Sequence, residues 1–238
     1  MAHLDIGSGA LVANASESER AGFIRRTYLH LGGAILAFVL VEALVISSGL
    51  ASAFTGMIAG SSWSWFIVLA LFMGASYLGD RWARSTMSRE MQYVGLGIYI
   101  VALAIVFSPA ILMSLNFAPN PNALPAAALI TLMLSGGLTF TAFTTKKDFS
   151  FLRPAITIGS FIALGLIIAS MIFGFSLGLF FAAAMVVLMA ASLLYQTSEI
   201  IHHYNTQQHV AAALGLFSSV GMMFYYILMF LMSLAGGD

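Results

Sequence analysis

The chain has 238 residues, of which 61% are hydrophobic and only 8% are charged, and its mean hydropathy is +0.98. A soluble domain has about 25% charged residues, so this composition excludes a water-soluble globular protein. The lack of cysteine excludes disulfides, cysteine nucleophiles and thiolate metal sites. Nine basic and nine acidic side chains cancel, which argues against a nucleic-acid partner. The sequence therefore predicts an all-α integral membrane protein whose partner is the lipid bilayer.

The N-terminal residues 1–23 are polar and mixed, and they predict a flexible or surface tail without a cleaved signal peptide. The remainder, 24–238, contains apolar runs of about 20 residues, the length that crosses a bilayer core of about 30 Å. These runs do not alternate in polarity, as the strands of a membrane barrel would. One domain of seven transmembrane helices is therefore expected, with approximate bounds of 27–50, 62–78, 91–115, 125–145, 154–173, 177–197 and 210–234.

The basic residues are distributed on one side of this seven-span arrangement. All nine precede the first span or lie in alternate loops; they are Arg20, Arg25, Arg26, Arg81, Arg84, Arg89, Lys146, Lys147 and Arg153. The loops at 51–61, 116–124 and 174–176, on the other side, have no charge. Because short cytoplasmic loops are enriched in Lys and Arg, this pattern predicts a cytoplasmic N-terminus. It also predicts that Asp238 lies outside, with Trp63 and Trp65 at the outer interface. A bacterial inner membrane is expected, with an organelle membrane as the alternative.

Glu42 is the one carboxylate that falls well inside a predicted span. Insertion scales assign a cost of about 2.5–3.5 kcal/mol to a charged residue near the centre of a membrane helix. One interpretation is a cation or proton site that faces the bundle interior or a wet cavity. The other is a protonated or paired Glu with a structural role, and the sequence leaves both open.

A polar group of Glu199, His202, His203 and His209 follows the sixth span. Glu199 and His202 have the E-x-x-H spacing of di-metal helical bundles, but such sites need a second motif and further Glu residues. The chain has one such motif and no further Glu near it, so no metal and no other cofactor is expected. A serine nucleophile needs a neighbouring base, but every His except His30 lies in the polar tail or a loop, and we do not expect an enzyme.

Small residues allow membrane helices to approach one another closely. Three pairs of glycines are predicted to do so: Gly95 with Gly97, Gly136 with Gly137, and Gly215 with Gly221.

The segment 139–152, TFTAFTTKKDFSFL, resembles the central signature of the Bax inhibitor-1 (transmembrane Bax inhibitor motif) family. In that family a span rich in Gly and Thr ends in a Thr-Thr-Lys-Lys/Arg-Asp-Phe/Leu-Ser loop. The sequence LYQT at 194–197, followed by two isoleucines at 200–201, is also similar, as is ALGLF at 213–217. The resemblance covers about residues 24–234.

This resemblance implies a fold in which the C-terminal helix is central and six others surround it. It also implies a link to calcium leak across the membrane, to cell-death suppression in eukaryotes and to modulation of a membrane protease in bacteria. Gating of the leak is attributed in the family to two aspartates near the cytoplasmic side. One lies in a Tyr-Asp-Thr-Gln motif and the other in a Leu-Tyr-Leu-Asp motif, and the pair would share a proton.

The chain departs from the family at both of these positions. Gln196 stands where the first aspartate is expected, and Ser219 where the second is expected. The two can hydrogen-bond to each other, but neither titrates near neutral pH. Glu199 and His203 form an i,i+4 pair on the helix face of Gln196. The pair is either a titratable sensor displaced by one turn or a solvated pair without a special role.

The expected function is to mediate or regulate a cation leak, with calcium as the ion that the family implies. The alternative is a non-conducting interaction protein that modulates a membrane protease or another membrane partner. The candidate residues of an ion pathway or gate are Gln196, Ser219, Glu199, His203 and Glu42.

Overall fold

The computed structural model describes residues 11–60, 62–83, 88–145 and 147–236. Within them the backbone forms a short 3-10 helix, Val12–Asn14, and eight α-helices. These are α1 (Glu17–Ser47), α2 (Leu50–Ala59), α3 (Ser62–Ala83), α4 (Arg89–Phe117), α5 (Ala123–Thr145), α6 (Leu152–Phe173), α7 (Gly178–His202) and α8 (His209–Gly236). The described part of the chain contains no β-strand, and the prediction of an all-helical protein is confirmed.

Six of these helices are long and apolar enough to cross a membrane: α1, α4, α5, α6, α7 and α8. Many of their large apolar side chains point away from the protein interior, and Phe180 on α7 is 87% exposed. Such a surface is unfavourable in water but suits contact with lipid acyl chains. The structure therefore agrees with a multi-pass membrane protein.

Helix α1 begins at Glu17, well before the predicted start near Thr27. The cause is a capping box, in which Ser16 accepts from the backbone N–H of Glu19 while the Glu19 side chain accepts from the Ser16 N–H. Residues 17–23 are thus helical, and Val12 and Phe23 are fully buried. Residues 17–23 therefore belong to α1 rather than to a separate tail, although most of them are exposed, and residues 1–10 lie outside the described ones.

Helix α2 occupies the segment that the sequence analysis assigned to an outer loop. Gly49 adopts a φ of 79°, which lets the chain turn between α1 and α2. The loop was expected because the segment falls between the first two predicted spans, but 50–59 contains no proline and is apolar enough to form a short helix. The other helices begin within two residues of their predicted positions, and α3 and α7 each end five residues later than predicted.

The described basic residues lie at one end of the bundle, which we call the basic end. His30 on α1 and Tyr93 on α4 are joined there by a contact of 2.9 Å between Nε2 and the hydroxyl. The 3-10 helix reaches the same end, where the N–H of Val12 donates to the carbonyl oxygen of Tyr204. The described basic residues belong to the helix ends and loops that meet here; they are Arg20, Arg25, Arg26, Arg81, Arg89, Lys147 and Arg153. The side chains of Trp63 and Trp65, and residues Arg84, Lys146 and Asp238, lie outside the described part.

Helix α8 packs against α1, α3, α4, α5 and α7. Leu216, Phe217, Met223 and Leu228 on this helix are almost completely buried. Half of the most apolar stretch of α8 is buried inside the protein, whereas only 6% of the corresponding stretch of α6 is. Much of α8 is therefore buried against other helices, whereas α6 packs mainly against α7.

The predicted glycine contacts are confirmed in part. A Cβ on Gly95 would lie 2.6 Å from the carbonyl oxygen of Gly79, so α3 and α4 approach closely here. A Cβ on Gly221 would lie 2.8 Å from Leu103. Gly97 and the pair at 136–137 have open space around their missing Cβ, and the prediction that they mediate packing is wrong.

Candidate functional site

A small polar cluster joins α7 to α8. The amide nitrogen of Gln196 donates to the hydroxyl oxygen of Ser219 at 2.9 Å and to that of Ser192 at 3.3 Å. The Ser219 hydroxyl donates to Ser192 Oγ at 3.2 Å. Ser192 and Gln196 are four residues apart, so they lie on one face of α7. The three side chains form a closed set of neutral hydrogen bonds, which includes the contact that the sequence suggested between Gln196 and Ser219.

The acceptor side of the Gln196 amide is enclosed by α8. Its Oε1 atom is buried without a hydrogen-bond partner among the described residues. Gly215 lies opposite, and a Cβ at that position would be 3.0 Å from Oε1. Gly215 thus provides the space for the amide, because a larger residue would contact it. None of the three side chains titrates near neutral pH, so the cluster can exchange hydrogen bonds but not protons.

The Glu199–His203 pair forms as the sequence predicted. His203 Nδ1 lies 3.2 Å from Glu199 Oε1, and the two side chains are 49% and 26% exposed. An exposed ion pair of this kind contributes little to stability. The pair lies one turn beyond Gln196 on α7, at the basic end.

The loop between α5 and α6 is anchored on α7 by Ser198, a residue that the sequence analysis did not single out. The backbone N–H of Phe149 donates to Ser198 Oγ at 2.9 Å. Asp148 accepts hydrogen bonds from the backbone N–H and the hydroxyl of Ser150. These bonds, together with nearby His203 and His202, hold the pKa of the Asp148 carboxyl below its usual value. The described part of the Lys-Lys-Asp-Phe-Ser motif therefore forms a turn that connects two helices.

The histidines do not gather with Glu199 at one point. His202 Nδ1 lies 2.9 Å from the backbone oxygen of Ser198. His209 packs edge-on against His30 of α1, with 4.9 Å between ring centroids. Across the described ranges no group of three or more His, Cys, Asp or Glu side chains is placed to hold a metal ion.

Glu42 lies on α1 beside a cavity of about 500 Å³. The side chain is 5% exposed, and neither carboxylate oxygen has a hydrogen-bond partner in the described part of the chain. The sequence left open a structural Glu that is either protonated or paired with another side chain. The described residues provide no partner, so the paired form does not fit this geometry. The carboxyl group faces apolar side chains from α1, α4, α5 and α8.

Glu42 and Gln196 lie on opposite sides of α8. Phe217 lines the Glu42 cavity, whereas Ser219 contacts Gln196. Residues two apart on a helix point in nearly opposite directions. Phe217 also packs against Phe38 and Tyr99, with ring centroids 6.1 and 6.0 Å apart. The structure therefore brings Gln196 and Ser219 together but keeps Glu42 separate from them.

Comparison with known proteins places this architecture in context. A family model described as "Inhibitor of apoptosis-promoting Bax1" matches residues 20–236. The uncharacterized protein PA2604 of Pseudomonas aeruginosa is 29% identical over 171 residues, which cover 69% of this chain and 68% of the relative. The family match includes every helix of the described bundle.

Proposed function

The chain belongs to the Bax inhibitor-1 family, and on this basis we propose that it mediates or regulates a cation leak across its membrane, with calcium as the ion. The observation that supports this role most directly is the hydrogen bond from Gln196 to Ser219. These residues occupy the positions at which the family resemblance places the gating aspartates. The contact joins α7 to the most extensively packed helix of the bundle.

The proposal includes seven membrane spans, with α3 as the seventh and α8 at the centre. Two contacts support this count, because His30 meets Tyr93 and, further along both helices, Phe38 meets Phe107. Helices α1 and α4 therefore run in the same direction. The chain must therefore return from the far end of α1 before α4 begins. Helix α3 has 22 residues, about 33 Å at 1.5 Å per residue, which suffices for that return.

The orientation in the proposal has the basic end in the cytoplasm of a bacterial cell. The described basic residues lie at this end, and short cytoplasmic loops are enriched in Lys and Arg. The Gln196 cluster and the Glu199–His203 pair lie in the half of α7 that ends there. The proposed gate thus faces the cytoplasmic side, while Glu42 lies nearer the outer side.

A neutral gate has a specific consequence for pH dependence. An aspartate pair separates when its shared proton is lost and like charges repel. Gln196, Ser192 and Ser219 have no proton to lose near neutral pH, so their closed contact persists. The leak is therefore expected to be nearly constant between about pH 6 and pH 8.

Calcium flux in proteoliposomes tests this proposal. Purified wild-type protein should pass calcium above the level of protein-free liposomes, with little change between pH 6 and pH 8. The double variant Gln196→Asp with Ser219→Asp should make the flux pH-dependent, and each single variant should do so less. A steep pH dependence of the wild type that survives the removal of His202, His203 and Glu199 would contradict this gate.

A second candidate function is a non-conducting interaction protein that modulates a membrane protease or another membrane partner. It is favoured by the separation of the polar groups, because Glu42 and the Gln196 cluster lie on opposite sides of α8. The absence of flux from folded, reconstituted protein, together with co-purification of a membrane protease, would select this function over the first.

A further inference from the structure

We propose that the cavity beside Glu42 binds an amphipathic amine, with the apolar chain in the cavity and the ammonium group against the Glu42 carboxylate, which turns towards the cavity to meet it because both of its oxygens are otherwise enclosed by the protein. The cavity has a volume of about 500 Å³ and lies between α1, α4, α5 and α8. This volume falls within the range of about 300–1,000 Å³ found for small-molecule sites. The site is separate from the proposed gate and does not depend on it.

Glu42 supplies the only unsatisfied polar group among the residues that line the cavity. The other polar side chain there, Thr131, already donates its hydroxyl proton to the carbonyl oxygen of Ala127 at 2.7 Å. The remaining lining residues are apolar and include Phe38, Ile46, Leu124 and Phe224. A ligand that fits this surface is therefore mostly hydrocarbon and carries one polar group.

The polar group of the ligand is expected to be positively charged, because it lies opposite the Glu42 carboxylate. None of the described residues that line the cavity is Lys, Arg or His, and both Glu42 oxygens are buried without a partner among the described residues. An unpaired charge costs several kcal/mol in such surroundings, so an ionised Glu42 requires a partner from outside the chain. An ammonium group provides the opposite charge and up to three hydrogen-bond donors, whereas a fatty-acid carboxylate would be repelled.

The donor set argues against a bare metal ion in this cavity. Calcium takes six to eight oxygen ligands, and Glu42 and Thr131 offer too few side-chain oxygens. A single ion would also leave most of the apolar volume empty. The chemistry therefore favours an organic cation over the calcium ion of the proposed leak.

The cavity is open towards the lipid-facing surface. Val39 on α1 and Leu132 on α5 both line it, yet they are 54% and 59% exposed. An amphipathic molecule dissolved in the bilayer can thus enter between these two helices. Glu42 lies five residues before the end of α1, about 7.5 Å along the axis, so the charged group of the ligand stays close to the membrane interface.

Photoaffinity labelling tests this site in protein reconstituted into nanodiscs. The probe is a primary alkylamine with a diazirine in its chain, and its adducts are located by mass spectrometry. We expect labels on cavity residues such as Leu132 and Phe224, with competition by dodecylamine but not by dodecanol or dodecanoate. Equal competition by the amine and the alcohol would overturn the proposal, because it would show an apolar groove without selection for charge.

Variants separate the role of the carboxylate from that of the apolar walls. Glu42→Gln should reduce labelling of the cavity by at least about tenfold, since it removes one partner of a buried charge pair. Glu90→Gln, an exposed acid at the start of α4, is the matched control and should label as the wild type does. Ala128→Phe keeps Glu42 but fills part of the cavity, and should also reduce labelling. Labelling that is unchanged by Ala128→Phe would overturn the proposal even if Glu42→Gln fails to fold.

Discussion

The backbone N–H of Phe149 donates a 2.9 Å hydrogen bond to the hydroxyl of Ser198, which lies 49 residues further along the chain. Ser198 is 1% exposed, and Phe149 is partly buried. The contact fixes the α5–α6 loop against the end of α7, next to the proposed gate.

Ser198→Ala should destabilise the protein because it leaves the Phe149 N–H without an acceptor. The expected loss is about 1–3 kcal/mol, the cost of an unsatisfied buried donor. Ser170→Ala is the control, since the Ser170 hydroxyl only donates to a carbonyl of its own helix, that of Ile167. Thermal unfolding in detergent measures both variants, and equal midpoints would show that the loop contact contributes nothing.

The Asp148 turn should make stability depend on pH in the acidic range. The folded-state pKa of Asp148 is lowered, so its contribution is complete above the unfolded value of about 3.9 and is lost as the pH falls through the folded value. Asp148→Asn should therefore lower the unfolding midpoint slightly at pH 6, and the difference should shrink towards pH 3. Ser150→Ala should weaken the same effect, and a difference that grows on acidification would contradict the assignment.

Gly95→Ala should separate α3 from α4. The new Cβ would lie 2.6 Å from the Gly79 carbonyl oxygen and 2.7 Å from the Ala83 nitrogen, and these backbone atoms cannot rotate away. Overpacking of this kind costs about 1–3 kcal/mol. Gly97→Ala is the control because nothing lies within 4 Å of its Cβ position. Comparable unfolding midpoints for the two variants would contradict the close approach of these helices.

The proposed topology predicts the response of fused reporters. A reporter that is active only outside the cytoplasm should give a signal after Asn120 and after Asp238, but none after Lys147. These positions follow from seven spans with the basic end in the cytoplasm. A signal after Lys147 without one after Asp238 is the pattern of six spans, and it would show that α3 does not cross the membrane.

The sequence predicted helix boundaries that are determined by residues close to them in the chain. Pro125 in the first turn of α5 and the turn at 174–176 before α7 mark helix boundaries that the structure reproduces. The start of α1 was missed because the analysis searched for apolar runs, although Ser16 with Glu19 is a recognisable capping box.

Contacts between side chains on different helices could be predicted only where the family resemblance already paired the two positions. The resemblance pairs Gln196 with Ser219, and the structure shows a hydrogen bond between these two side chains. Gly95 and Gly97 look equivalent in the sequence, yet only one faces a neighbouring helix. Whether Glu42 has a hydrogen-bond partner depends on the side chains that other helices place around it. The sequence of α1 alone cannot predict those neighbours.

The contact between Val12 and Tyr204 links residues from opposite ends of the polypeptide. Val12 is completely buried, and the Arg20 guanidinium donates to the carbonyl oxygens of Val12 and Ala13. During synthesis, Tyr204 leaves the ribosome only after α7 has been made. The segment around Val12 is therefore synthesised early but can reach its native position only late in folding. Its contact with Tyr204 can form only when seven of the eight described α-helices have been synthesised.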